Sequence, residues 1–301
     1  MILWFFRGRA YLKDKIASGT DLDIENLPYN TRVLSYLQKE KHKGRKITLI
    51  TASSTKQVNK ISSHLNLFDK VITNTQKRDL TNKLKLKTIK EYSENFSYMS
   101  SAPSNKILWE NSQEAIFVGS SYKKNQIKLS KGFNAFFETR KSTLKSIVSG
   151  MRFHQWSKNI LIFIPTLCAH QFFHKTWDTI LAFLAMSLVA SAGYLLNDCF
   201  DVENDRKHPT KKHRPIPTGE LTLKSAVIWS GVLLALSLGL SFFVSTRIPI
   251  LMLFYFSLSL LYTLYLKKIP IVDLSCLSFF YIWRIIIGSN VTETTISSWF
   301  L

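Results

Sequence analysis

The hydrophobic rhythm of the chain changes near its midpoint. Up to about residue 119, short apolar runs alternate with polar stretches of helical spacing, and beyond residue 140 the apolar runs lengthen. In the first half, Ile47 to Thr51 reads as a buried strand that runs into the polar turn Ala52-Ser53-Ser54, with Gln57, Val58 and Ile61 continuing as a helix. A second strand is expected at 70–73, a helix at 86–92 and a last strand at 114–119, an order that predicts a small α/β unit. Residues 1–45 read as solvated helices broken at Leu27-Pro28, with a short helix start at 1–6 rather than a cleavable leader. The stretch 120–140 is polar, basic and without clean periodicity, which predicts an interdomain linker. The expected organisation is an α/β domain over 1–120, a basic linker over 121–140 and a transmembrane domain over 141–301.

In the second half, the windows 179–196, 226–245 and 248–266 carry no charge and are each about long enough to cross a hydrocarbon core. Two weaker windows flank them, 159–173 and 271–288, the second with Asp273 near its start and Arg284 well inside. Five spans in an all-α bundle are therefore expected. Loop charge gives a test of that count, because Lys and Arg gather on the cytoplasmic side of short loops. Arg152 and Lys158 precede the first span, Arg206, Lys207, Lys211, Lys212 and Arg214 follow the second, and Lys267 and Lys268 follow the fourth. The opposite loops hold only Lys175 and Arg247, which predicts a multi-pass protein of the cell (inner) membrane with a cytoplasmic N-terminal domain.

Charge changes this picture only in the first half. Residues 1–150 carry 27 Lys plus Arg against 12 Asp plus Glu, and the remainder 13 against 8. A basic front can attract nucleic acid, anionic lipid or phosphate-bearing substrates through the same long-range field. The partners expected here are the membrane, a lipid substrate and a phosphate-bearing co-substrate, without nucleic acid, and a homo-oligomer is left open. Cys168, Cys199 and Cys276 lie in or beside apolar stretches without paired spacing, which points to no disulfide framework and no zinc site.

The chemistry concentrates where the second span ends. Asn197, Asp198, Asp201, Glu203 and Asp205 crowd the point at which an apolar helix meets the membrane surface. If helix continues there, Asp198, Asp201 and Asp205 sit at i, i+3 and i+7, within about 60° of one another on one face. Three carboxylates on one stripe repel, and a hard divalent cation relieves that repulsion; Mg²⁺ takes one or two carboxylates while keeping substrate phosphate oxygens in its shell. The Pro- and Gly-punctuated loop that follows supplies Lys211 and Arg214, cations able to neutralise a departing phosphate. The bland alternative is a solvated, salt-bridged loop. His154, His170 and His174 stand singly, as interfacial or capping histidines.

Asn197-Asp198-x-x-Asp201-x-x-x-Asp205 resembles the first aspartate-rich motif of the UbiA superfamily of intramembrane transferases. Arg152-Phe153-His154-Gln155-Trp156-Ser157-Lys158-Asn159, together with Asp205-Arg206-x-His208-Pro209-Thr210-Lys211-x-x-Arg214-Pro215-Ile216, is similar to the decaprenyl-phosphate phosphoribosyltransferase branch of that superfamily, with Phe153 in place of a proline. The resemblance covers 150 to about 290. It implies that Asp201 and Asp205, supported by Asn197 and Asp198, hold Mg²⁺ on a diphosphate, that Arg152, Lys158, Lys211 and Arg214 grip phosphate groups, and that Tyr262 and Lys267 line the same mouth, with Tyr265 as the alternative ring. It also implies a polyprenyl lipid substrate, a diphosphate-bearing co-substrate and transfer of a phosphoribosyl group to a polyprenyl phosphate. An allylic prenyl transfer to an aromatic acceptor uses the same first motif. The family's pattern of nine spans and a second acidic motif is met here by about five spans and Asp273, so a C-terminally incomplete, non-catalytic membrane protein is a further reading.

Residues 1–119 resemble a haloacid-dehalogenase-like phosphatase module, with Leu49-Ile50-Thr51-Ala52-Ser53 as its second motif. That chemistry needs an Asp nucleophile in an Asp-x-Asp-x-Thr segment, and none precedes residue 49; Asp21-Leu22-Asp23 lacks the apolar strand that should lead into it. At the positions of the late acids stand Ser101 and Asn105, poor magnesium ligands. The front domain is expected to lack phosphatase activity.

Overall fold

The computed structural model describes residues 23–73, 82–139 and 144–294, and divides into two compact units at Arg140/Lys141. The expected helix start at 1–6 and the Asp21-Leu22 pair lie outside the described residues.

The first unit is α/β. Its order is α1 (Thr31–His42), β1 (Thr48–Thr51), α2 (Thr55–Leu65), β2 (Lys70–Thr73), α3 (Asn82–Tyr92), β3 (Ser97–Ser100), α4 (Lys106–Glu110), β4 (Glu114–Gly119), α5 (Ser121–Gln126) and β5 (Ala135–Glu138). The strands form two parallel sheets, β1-β2 and β3-β4-β5. Local chemistry sets the ends of the helices. Asn30 caps α1 by accepting from the Val33 N–H at 3.3 Å, Ser120 caps α5 through the Lys123 N–H, and Asn66 closes α2 in the left-handed region that Asn tolerates better than most side chains. The core of this unit is Tyr98, Leu108, Trp109, Ala115 and Phe117, with the Trp109 indole donating to the Ile116 carbonyl at 3.2 Å.

The stretch expected as a linker is structured: 121–126 is helical, and β5 pairs with β4 in register Ile116 to Ala135. Phe136 supplies the reason, since it stacks on the buried Phe117 with ring centroids 6.0 Å apart.

Two acids of this unit carry a pH dependence. Arg45 and Ser97 hold the Glu114 carboxyl below the usual carboxylate range, and the Ile47 N–H, 2.6 Å from Asp69, does the same there. A carboxylate with a depressed folded pKa contributes stability above its unfolded value, about 4, and loses it as pH falls through the folded value. Urea unfolding of this unit should therefore show Glu114→Gln less stable than the parent at pH 7, with the gap closing as pH drops below 4. A gap that widens instead would contradict the assignment.

The second unit is all-helical. α6 (Leu144–Met151) leads to a ten-residue 3₁₀ segment (Phe153–Ile162) and the short α7 (Phe163–Cys168). Then follow α8 (Phe172–Phe200), α9 (Val202–Lys207), α10 (Leu223–Phe242), α11 (Ile248–Leu264) and α12 (Pro270–Thr292). Among the described residues four helices are long and apolar enough to cross a membrane: 173–200, 223–242, 248–268 and 270–292.

The expected first span at 159–173 is not one long helix. The 3₁₀ segment and α7 pack along α8 through polar side chains: Trp156 Nε1 donates to Ser191 Oγ at 3.0 Å and Asn159 Nδ2 to Ser187 Oγ at 2.9 Å from the 3₁₀ segment, and Thr166 of α7 meets Thr179 hydroxyl to hydroxyl at 2.9 Å. These rungs step antiparallel along α8 and tie down a backbone that α-helical bonds do not satisfy.

α8 is the central helix, and small residues let its neighbours approach. Ser230 Oγ of α10 donates to the Ala192 carbonyl at 2.9 Å and Ser237 Oγ to the Ala185 carbonyl at 2.7 Å, with Ala182, Ala185 and Ala192 fully buried. Such close contact by small and hydroxyl residues is how helices associate where lipid removes the hydrophobic drive.

Candidate active site

α8 ends at Phe200 because the chain turns there. Asp201 takes φ −92°, ψ 6° and its N–H closes back on the Asn197 carbonyl, and α9 begins at Val202. The i, i+3, i+7 stripe is consequently divided rather than continuous. Asp198, 1% exposed, and Asp205, 3% exposed, face one another across a shared guanidinium: Arg214 Nη1 lies 3.2 Å from Asp198 Oδ1 and 2.8 Å from Asp205 Oδ2. Arg152 Nη2 donates to the same Asp198 oxygen, and its guanidinium lies over the Tyr194 ring, 5.0 Å from the centroid. Asp201 goes elsewhere. The Lys267 ammonium bridges both of its oxygens, at 2.5 and 2.6 Å.

The loop after α9 delivers Arg214 by folding back on the bundle. Pro215, Ile216 and Pro217 are buried, Gly219 adopts φ +75°, where glycine is favoured, the Leu221 N–H donates to the Pro215 carbonyl at 2.8 Å, and Arg206 Nε reaches the Pro217 carbonyl at 3.3 Å. Thr222 then caps α10 by accepting from the Ser225 N–H at 3.2 Å. On the facing helices, Thr263 donates to Asn197 Oδ1 at 3.2 Å, which holds the first residue of the motif in place.

The residues expected at the site are thus mostly brought together. Asn197, Asp198, Asp201, Asp205, Arg152, Arg214 and Lys267 converge at one end of α8. Lys211 stands at its edge, with Nζ 4.0 Å from Asp205. Lys158 is exposed and makes no ion pair among the described residues. Tyr262 donates to Asp273 Oδ1 at 2.6 Å, whereas Tyr265 is exposed. Asp273 as the partner of Tyr262 and Tyr194 as the platform under Arg152 escape the sequence reading; an acid near the start of the apolar window 271–288 is the one signal that pointed to Asp273. Among the described residues no group of three or more His, Cys, Asp and Glu gathers as a ready metal site; Asp201 is held by Lys267 and Asp205 by Arg214. Their donor chemistry still fits magnesium, since hard carboxylate oxygens gather beside cations that could take phosphate.

Deeper in the bundle, Arg284 is buried. Its Nε donates to Asn159 Oδ1 at 2.7 Å and its Nη1 bonds the Phe280 carbonyl. It faces the bundle, as its cost in lipid demands, and fastens the 3₁₀ segment to α12.

In the first unit, Thr51 and Ser53 share a hydroxyl bond of 3.2 Å, and the buried Asn105 donates to Ser100 Oγ at 2.6 Å, so the Asn105 amide has a structural partner.

Apolar helices long enough to span, gathered around a buried carboxylate and guanidinium cluster at one end, define an integral membrane helical bundle. Residues 160–301 match the UbiA prenyltransferase family, whose members are transferases, and the helical unit is UbiA-like. A Sinorhizobium fredii protein named "Uncharacterized protein y4nM" is 29% identical over 98% of this chain and 58% of its own length. Decaprenyl-phosphate phosphoribosyltransferase of Corynebacterium glutamicum is 35% identical over 54% of this chain and 50% of its own. Digeranylgeranylglyceryl phosphate synthase of Methanococcoides burtonii is 40% identical over 31% of this chain and 33% of its own. The chain spans about half the length of the first two of these relatives.

Proposed function

We propose that the chain is a magnesium-dependent transferase of the cell membrane that expels diphosphate, transferring a phosphoribosyl group from phosphoribosyl diphosphate to a polyprenyl phosphate, with the first unit on the cytoplasmic side. The observation that carries this reading is the gathering of Asp198, Asp201 and Asp205 with Arg152, Arg214 and Lys267 at one end of α8. The likeness to decaprenyl-phosphate phosphoribosyltransferase across 167 residues supports the choice of donor and acceptor. On this reading the basic loops that follow α9 and α11 face the cytoplasm, and the 3₁₀ segment with α7 makes a fifth, broken crossing.

Asp201 and Asp205 would hold the magnesium ion, which supplies charge neutralisation to the diphosphate. Arg152, Arg214, Lys211 and Lys267 bind phosphate oxygens and stabilise the charge that builds as the anomeric C–O bond breaks and its electron pair leaves with the diphosphate. An acceptor phosphate oxygen forms the new bond to that carbon. The acceptor is already anionic, so no general base is required. Tyr262, held by Asp273, borders the site and orients its rim. The front unit, short of an aspartate nucleophile, acts as a docking or structural module.

Membranes carrying the chain should convert radiolabelled phosphoribosyl diphosphate and polyprenyl phosphate to a lipid-soluble product, and Asp201→Asn should lower that by at least a hundredfold. Prenyl transfer is the second reading, favoured by the 40% identity to a digeranylgeranylglyceryl phosphate synthase over 94 residues. Product from a prenyl diphosphate, with none from phosphoribosyl diphosphate, would decide for it.

A further inference from the structure

Every carboxylate of the aspartate motif is held by a cation of the same chain. Asp198 has Arg152 and Arg214, Asp205 has Arg214 with Lys211 at 4.0 Å, and Asp201 has Lys267 on both oxygens. Arg152, Arg214 and Lys267, the cations within 3.2 Å of a carboxylate oxygen, balance the three aspartates one for one, with Lys211 at the edge beyond them. That matters at a membrane edge, where an unpaired buried charge is costly.

A divalent cation arriving alone has to displace an arginine or lysine from its carboxylate and leaves that cation without a partner. A diphosphate arriving alone takes the cations and leaves the carboxylates facing one another. When both arrive, the partners exchange: the cations pass to phosphate oxygens, the carboxylates to the metal, and no charge is stranded. The exchange has an obvious point of entry. Asp201 and Lys267 are each about a quarter exposed, at 24% and 23% of their side chains, whereas Asp198 and Asp205 are sealed under guanidinium groups. Lys267 also has a flexible four-carbon stem carrying a point charge, suited to swing between two anions, unlike the planar fork of an arginine.

We propose that Lys267 is a latch on Asp201 that stops a divalent metal from binding alone, so that metal and diphosphate enter together. This rests on the transferase reading above and adds to it a rule of binding: the two ligands are strongly and reciprocally coupled. The latch also explains why three acids in one motif form no ready metal site among the described residues.

Equilibrium dialysis of the full chain in detergent, with Mn²⁺ as the probe, tests it. Mn²⁺ is titrated alone and with phosphoribosyl diphosphate, against a protein-free control that accounts for their complex in solution. The parent chain should bind Mn²⁺ at least tenfold more tightly with the diphosphate than without it. Lys267→Met should bind Mn²⁺ alone at least tenfold more tightly than the parent and lose most of the coupling, and Lys267→Arg, which keeps the charge, should remain coupled. Circular dichroism and elution volume establish that the variants are folded. Tight binding of Mn²⁺ alone by the parent, or an unchanged affinity in folded Lys267→Met, overturns the latch while leaving the transferase reading standing. If the folded parent binds neither ligand, together or apart, the transferase reading fails and the latch with it.

Discussion

Asparagine in place of Asp198 should destabilise the helical unit by about 3–5 kcal/mol, the scale for removing one partner of a buried ion pair. Asp198 is 1% exposed and receives hydrogen bonds from Arg152 and Arg214, so its loss of charge strands the Arg152 guanidinium at the membrane edge and leaves Arg214 to Asp205 alone. Asp201→Asn should behave in the opposite way. Its partner Lys267 is long, partly solvated and free to re-solvate, and such pairs contribute only about 0–1 kcal/mol. Thermal unfolding in detergent, followed by tryptophan fluorescence, should show a large loss of melting temperature for Asp198→Asn and little for Asp201→Asn. Lipid-product formation should fail in both, through misfolding in the first and through lost chemistry in a folded protein in the second. Equal melting temperatures for the two variants would contradict this division of labour.

That division shows where sequence spacing stops being informative. The position of the motif was legible, because charge packed against the end of an 18-residue apolar window admits few explanations. The geometry within it was not. A continuous helix would align Asp198, Asp201 and Asp205, but the chain turns at Asp201, which pairs with Lys267 across 66 residues of sequence. Arg152 reaches Asp198 over 46 residues, a contact that depends on tertiary packing and leaves no periodic trace.

The long spans were legible for the reason membrane helices usually are: a bilayer sets the length of an apolar run, so that 179–196 and 248–266 fall inside the spans 173–200 and 248–268, and 226–245 overruns the end of α10 at Phe242 by three residues. The window 159–173 has the same composition without the same backbone. Trp156 and Asn159 spend their polar groups on Ser191 and Ser187, and those side-chain bonds hold a 3₁₀ conformation that hydropathy does not register. In the first unit, β1, β2 and β4 stood out as β-branched runs, whereas β3 is Ser-Tyr-Met-Ser and β5 only Ala-Phe-Phe-Glu among lysines. Both are strands because β4 lies beside them, a tertiary cause that weak local propensity cannot announce.

Gly288 makes the same point at a single atom and carries a large expected effect. It sits in α12 against the 3₁₀ segment, where an added Cβ would fall deep inside the van der Waals radius of the Ile162 carbonyl oxygen and 3.1 Å from Pro165 Cδ. The obstacle is backbone, fixed on one side by Asn159 through Arg284 and on the other by Thr166 through Thr179, so it has no rotamer to change. Gly288→Ala should cost at least the usual overpacking penalty of about 1–3 kcal/mol, despite alanine's better helix propensity. Gly193→Ala is the matched comparison, since its Cβ would meet only Ser259 Oγ at 2.9 Å, a hydroxyl able to rotate away. Melting temperatures in detergent should fall clearly for Gly288→Ala and little for Gly193→Ala. Because the displaced segment carries Arg152 at its head, Gly288→Ala should also lower the affinity for the diphosphate donor, though it lies several helical turns from any carboxylate of the site. Wild-type stability and donor affinity in Gly288→Ala would mean that α12 and the 3₁₀ segment are not packed against each other as described.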